Sequence, residues 1–131
     1  MRPLLLASLL ALALPPACAR ELGPEAAYRS LLKAVAERDA DKAWNLLSRA
    51  SQKRLEEKAR AAAERAPGVV PPSGRQLLLG DAALQARPVA TVAVTSQTGQ
   101  RAVLRVEVEG ASPREVALVH EGRWRVELPE R

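Results

Sequence analysis

Val116-Ala117-Leu118-Val119-His120-Glu121-Gly122-Arg123-Trp124-Arg125-Val126-Glu127-Leu128 is the stretch on which the fold turns. Two runs of alternating apolar and polar residues flank a glycine-containing turn, the pattern of a β-hairpin. A two-residue loop, Glu121-Gly122, would set Leu118 against Arg125 and Val116 against Glu127. A three-residue loop with Gly122 left-handed in a bulge is expected to pair Leu118 with Trp124 and Val116 with Val126. The second choice gathers the large apolar side chains on one face and is the expected register.

The same alternation extends backwards. After Pro88, Val92 and Val94 alternate with Thr91, Ala93 and Thr95; beyond Gly99, Ala102, Leu104, Val106 and Val108 alternate with Arg105, Glu107 and Glu109. A five-residue loop, Ser96 to Gln100, would align Val94 with Ala102 and Val92 with Leu104. Another, Gly110 to Arg114, would align Val108 with Val116 and Val106 with Leu118. The expectation is a four-stranded antiparallel meander, apolar on one face, with Arg105, Glu107, Glu115, Arg125 and Glu127 on the wet face.

The preceding segment reads as helical. Gly23-Pro24 followed by Glu25 is a helix start, with Pro at the first helical position and an acid near the positive end of the dipole. Tyr28, Leu31, Leu32 and Val35 then form the stripe of an amphipathic helix to about Arg38. Asp39 is expected to cap a second helix that buries Ala40, Ala43, Trp44 and Leu47. Ser51 is expected to open a third, to about Arg65, with a thin face of Leu55, Ala59, Ala62 and Ala63 covering one sheet edge. The segment from Ala66 to Gly74 is breaker-rich, and Arg75 to Leu79 reads as one helical turn ended by Gly80, its leucines plugging the core. Helices first and a meander last make an α+β layout: N-terminal helices packed on a curved C-terminal antiparallel sheet of about four strands.

The N-terminus has a different character. Met1-Arg2-Pro3 and the eleven-residue apolar run Leu4 to Leu14 are too short for a bilayer span and the right size for a signal-peptide core. Residues 1–19 are therefore read as an export signal and 24–128 as the folded domain. Pro15-Pro16-Ala17-Cys18 resembles the lipobox of bacterial lipoproteins, although Pro15 stands where leucine is usual. That resemblance implies that Cys18 takes a lipid and that, with Ala19 following, the protein faces the periplasm from the outer membrane. The rival is the A-x-A site Ala17-Cys18-Ala19, which would release a soluble periplasmic or secreted protein. A single cysteine in an exported chain forms no internal disulfide.

Composition narrows the function classes. The 131 residues are 47 % hydrophobic and 27 % charged, with no Phe, two Trp and one Tyr, so Leu, Val and Ala must build the core. The formal charge of +5 is spread among interleaved acids, as in Lys53-Arg54-Leu55-Glu56-Glu57-Lys58. An interleaved pattern marks a solvated surface, not a phosphate-binding one, and nucleic acid is not an expected partner.

Asp39-Ala40-Asp41-Lys42-Ala43-Trp44-Asn45-Leu46-Leu47-Ser48 after a helix, with Glu121-Gly122-Arg123-Trp124-Arg125-Val126 closing a meander, resembles the nuclear transport factor 2-like superfamily, in particular its small bacterial envelope lipoproteins. The resemblance covers about Glu25 to Leu128 and implies a cone of curved sheet wrapped on helices, often with a pocket at its open end. Enzymes of this type, such as ketosteroid isomerases and dehydratases, need carboxylates or histidines inside the cone. Here Asp39, Asp41 and Asp81 lie at a helix start and beside a turn, and His120, the one histidine, lies near the hairpin tip. No catalytic set, metal site or cofactor motif assembles from these residues. An enzyme would require Glu107, Glu115 or another acid to point inward. Trp124 and Trp44 read as core, or with Tyr28 as a pocket wall. The expected function is that of a non-catalytic, lipid-anchored envelope domain that binds a protein partner or small ligand. The alternatives are a small isomerase- or dehydratase-like enzyme of the same fold and a solid-core structural domain.

Overall fold

A computed structural model describes residues 21–69, 73–81, 84 and 88–130. The signal segment and Cys18 lie outside the described residues. Four helices precede four strands: α1 (Pro24–Ala36), α2 (Ala40–Asn45), α3 (Arg49–Arg65), α4 (Gly74–Leu79), β1 (Val89–Gln97), β2 (Arg101–Val108), β3 (Arg114–His120) and β4 (Trp124–Glu127). The strands form one open antiparallel sheet in the order β1-β2-β3-β4, so the α+β layout holds. No described helix is long and apolar enough to cross a membrane.

Local chemistry sets the helix ends. Pro24 opens α1, and the Glu25 carboxylate also accepts from the Val94 amide at 3.3 Å, tying the start of α1 to β1. At the other end Arg38 adopts a left-handed φ of 56°. Its amide donates to the Val35 carbonyl and that of Asp39 to Ala34, the paired bonds of a Schellman termination. Asp39 caps α2 through the Lys42 amide at 3.1 Å. The cap of α3 is Ser48, three residues earlier than expected, with Ser51 buried in the first turn. Both serines share the Ser-x-x pattern of a cap, and tertiary contacts choose between them. The Ser48 amide bonds the Val126 carbonyl at 2.9 Å, which fixes the chain just before the helix.

Helix α1 lies against the sheet, with Ala27, Tyr28, Leu31, Ala34 and Val35 buried against Leu104, Val106, Leu118 and Val126. Leu78 of α4 is fully buried in the same core, so that short helix does plug it. Helix α3 packs on α4, and its first turns reach the β4 edge of the sheet. The edge at β4 is sealed by the α2–α3 connection. Leu47 forms a parallel bridge to Val126, and the Val126 amide donates to the Leu46 carbonyl at 2.7 Å. Ser51 Oγ accepts from the Leu128 amide at 2.8 Å, and Arg54 donates to the Leu128 carbonyl. The outward backbone groups of Val126 and Leu128 are thereby satisfied, which removes a free edge.

The β2–β3 and β3–β4 registers are displaced by an even number of residues from those expected, and so is β1–β2 over Thr91 to Val94, while Ser96 opposite Val103 at its turn end is displaced by three. In the last hairpin Leu118 faces Val126 and His120 faces Trp124. The expected Leu118–Trp124 pair would centre the three-residue turn on Glu121, whereas the observed turn, residues 121–123, is centred on Gly122 at φ 75°. Val94 faces Leu104 and Val92 faces Val106, because a bulge between Val94 and Ser96 lengthens β1 toward the turn. Leu104 faces Val116 and Ala102 faces Leu118, a shift of four. Residues 107 and 108 of β2 pair only with β1, so β2 overhangs β3. An even shift preserves which face each side chain takes. The apolar face is therefore the expected one although its partners are not, and Arg114, expected in the loop, becomes the first residue of β3.

Candidate functional site

The two faces of the sheet differ sharply in charge. On the outer face Arg105 lies opposite Glu115 across the β2–β3 ladder, and Arg101 bonds Glu127 at 3.0 Å. Glu107 accepts from Thr91 Oγ1 at 3.1 Å and pairs with Arg105 at 3.5 Å. Glu107 and Glu115 thus lie on the wet side, while Val103, Ala117 and Val119 form a half-buried strip between the charges. On the inner face of β2, β3 and β4 stand Ala102, Leu104, Val106, Arg114, Val116, Leu118, His120, Trp124 and Val126. Arg114 and His120, at the two ends of β3, are its polar members.

The Arg114 end is the more enclosed. Arg114 Nη2 donates to the Tyr28 hydroxyl at 2.9 Å, and Tyr28, on α1, is 1 % exposed. Arg114 Nε is buried with no acceptor. Among the described residues no carboxylate pairs with this guanidinium, whereas Arg49, Arg54, Arg75, Arg101 and Arg105 all have acidic partners. Arg114 and Tyr28 line a small recess of about 50 Å³ whose other walls are apolar except for Glu115 and Glu127. It lies where β3 and β4 part, since their last pair is Ala117 with Glu127.

At the other end, His120 meets Trp124 edge to face at 5.1 Å, and its Nε2 contacts the Glu21 carboxylate. Six residues of strand, about 20 Å, separate His120 from Arg114. Trp124 therefore belongs to one end of the core and Tyr28 to the other. Trp44 occupies a third place. It is 8 % exposed, lies beneath the Arg75 guanidinium at 5.1 Å, and abuts Gly74, where a Cβ would fall 2.7 Å from the ring. The three aromatics line no common wall.

Of the aspartates, Asp39 is a cap and Asp41 holds Arg75 at 3.2 Å. Asp81 borders a cleft of about 390 Å³ between α3 and the C-terminal segment. A second cleft, about 420 Å³, crosses the outer face between Arg54, Glu115 and Glu127. Both are of mixed charge. Among the described residues no group of three or more His, Cys, Asp or Glu is placed to hold a metal.

The Arg114–Tyr28 contact is not visible in the sequence, where Arg114 falls in the expected loop before β3. The signal was its parity: 114 shares the even numbering of Val116 and Leu118, and hence their face. Compared with known proteins, the chain matches no family model, no curated protein and no solved structure.

Proposed function

We propose that this chain is an exported, lipid-anchored envelope domain that binds a small ligand or protein partner without catalysing a reaction, on a scaffold of the nuclear transport factor 2-like type. The observation that carries the reading is the distribution of charge across the sheet. Glu107, Glu115 and Glu127 lie on the outer face; of the two polar residues on the inner face of β3, Arg114 is a cation set beside a phenol, and His120 lies at the far hairpin end against Trp124 and Glu21. Proton transfer inside a cone needs an inward base, and an arginine stays protonated and cannot serve as one. A guanidinium and a hydroxyl on largely apolar walls are instead recognition groups. The cone reading draws its support from the order of helices before meander and from α1 lying on the apolar face. The solid-core structural alternative is favoured by one observation: Leu31, Leu47, Leu78, Leu104 and Leu118 are each 0 % exposed.

The anchor is assigned to Cys18, with the outer membrane as the surface it engages. Growing cells with a clickable fatty acid tests it directly. The wild-type chain should take up label and partition with membranes, and Cys18→Ser should take up none. An unlabelled wild-type protein would leave the soluble periplasmic or secreted form in its place.

A further inference from the structure

Glu21 ties the segment leading into α1 to the tip of the last hairpin. Its carboxylate meets His120 Nε2, a contact between residues 99 positions apart, and Trp124 packs the imidazole edge to face at 5.1 Å. Ala19 and Arg20 alone separate Glu21 from Cys18. Three residue steps extend at most about 11 Å, whereas β3 runs about 20 Å from His120 to Arg114. A group attached at Cys18 is therefore tethered to the hairpin-tip end of the sheet. The β1–β2 turn shares that end, because the His120 amide donates to the Gln100 carbonyl at 2.9 Å. Its residues Thr98, Gly99 and Gln100 are exposed and uncharged. The acids here are engaged: Glu21 by His120, and Glu121 by the Arg49 amide at 3.3 Å and Arg49 Nε at 3.8 Å. Arg123 donates to the Asn45 carbonyl at 2.8 Å and has no carboxylate partner among the described residues. Leu22, next to Glu21, is 50 % exposed.

We propose that the hairpin-tip end is the surface this domain lays against the bilayer, with the Glu21–His120 contact as the clasp that keeps it there. This rests on the lipid-anchored reading above and adds the orientation which that reading leaves open. A point attachment lets a domain turn freely about its tether. A side-chain clasp three residues from the anchor removes most of that freedom, and the two turns at this end are then the surface nearest the lipid. Their chemistry suits headgroups. A half-exposed leucine beside the anchor can enter the interfacial layer, and the β1–β2 turn carries no charge to desolvate. The unbalanced charge of Arg123 is attracted to anionic lipid. The consequence is directional. The clefts beside Leu128, Pro129 and Glu130, and the recess at Arg114, lie at the opposite end of β3 and β4. They open away from the membrane, where a partner or ligand can approach.

The test uses the acylated chain purified from cell membranes and reconstituted in vesicles of phosphatidylethanolamine and phosphatidylglycerol. With Cys18 acylated, one added cysteine is the sole free thiol, because the sequence has no other. Gly99→Cys marks the hairpin-tip end, where a Cβ meets nothing within 4 Å. Ser112→Cys marks the far end, in the exposed turn between β2 and β3. Each thiol carries a nitrobenzoxadiazole dye, and its quenching by a lipid with a nitroxide on the headgroup is measured. The headgroup layer is about 5–8 Å deep, less than the separation of the two ends, so the Gly99 label should be quenched roughly threefold more than the Ser112 label. Glu21→Ala, a change at an exposed side chain, should cut that contrast by about half, and Glu21→Gln, which keeps an acceptor for His120, should restore most of it. Equal quenching at the two positions, or stronger quenching at Ser112, would overturn the orientation, and an unchanged contrast in Glu21→Ala would overturn the clasp. A wild-type chain that takes up no fatty acid loses the anchor and this orientation together. An acylated chain with equal quenching keeps the anchor and loses the orientation alone.

Discussion

Ser51 joins helix to sheet through one oxygen. Its Oγ accepts from the Leu128 amide at 2.8 Å and meets Ser48 Oγ at 2.9 Å, while its own amide donates to Ser48 Oγ at 3.1 Å. At 1 % exposure there is no water to replace those bonds. Ser51→Ala leaves the Leu128 amide without its acceptor and should cost about 1–3 kcal/mol in urea unfolding. A loss under 0.5 kcal/mol would mean that the helix and the final strand are held by other contacts. A serine before a helical run was legible as a cap, but which of Ser48 and Ser51 fills that place was not. Both satisfy the local rule, and only the bond from Ser48 to Val126, far along the chain, separates them. Arg114 shows the same limit from another side. Its parity was readable, its burial against Tyr28 was not, because those residues meet only after the sheet closes on α1.

At the scale of elements, the helix ends and turns are local and the sheet partners are not. Arg38 ends α1 in a left-handed conformation, φ 56°, that costs an L-residue about 1–2 kcal/mol relative to glycine. It is exposed, so Arg38→Gly should raise stability by about 0.5–1 kcal/mol, measured as a higher urea midpoint with an unchanged slope. No gain would mean that the arginine side chain contributes packing that offsets the strain. The strand registers illustrate the complementary point. The period-two pattern dictates which face each residue takes, but sliding one strand by two or four residues leaves that pattern intact. The bulge in β1, the three-residue turn at Gly122 and the overhang of β2 select among these equivalent alignments.

Across the whole molecule, one apolar layer is shared by α1, α2, α4 and the inner face of the sheet, and the charged groups are confined to its outside and to the ends of β3. Trp124 closes this layer at the His120 end, 8 % exposed. Trp124→Ala should cost about 3–5 kcal/mol by removing a large side chain that the surroundings cannot refill, read by calorimetry as a lowered Tm. A change below 1 kcal/mol would place the indole outside the cooperative core. What the amino-acid sequence determined by itself is the set of elements, their order and the apolar face of each. Those follow from side-chain periodicity and from caps and breakers acting within a few residues. The tertiary structure alone decided which strands' residues meet, that the α2–α3 connection seals β4, and that Arg114 stands beside Tyr28. Those contacts join residues up to 86 positions apart, and their selection depends on packing and on satisfying buried hydrogen bonds in the assembled core.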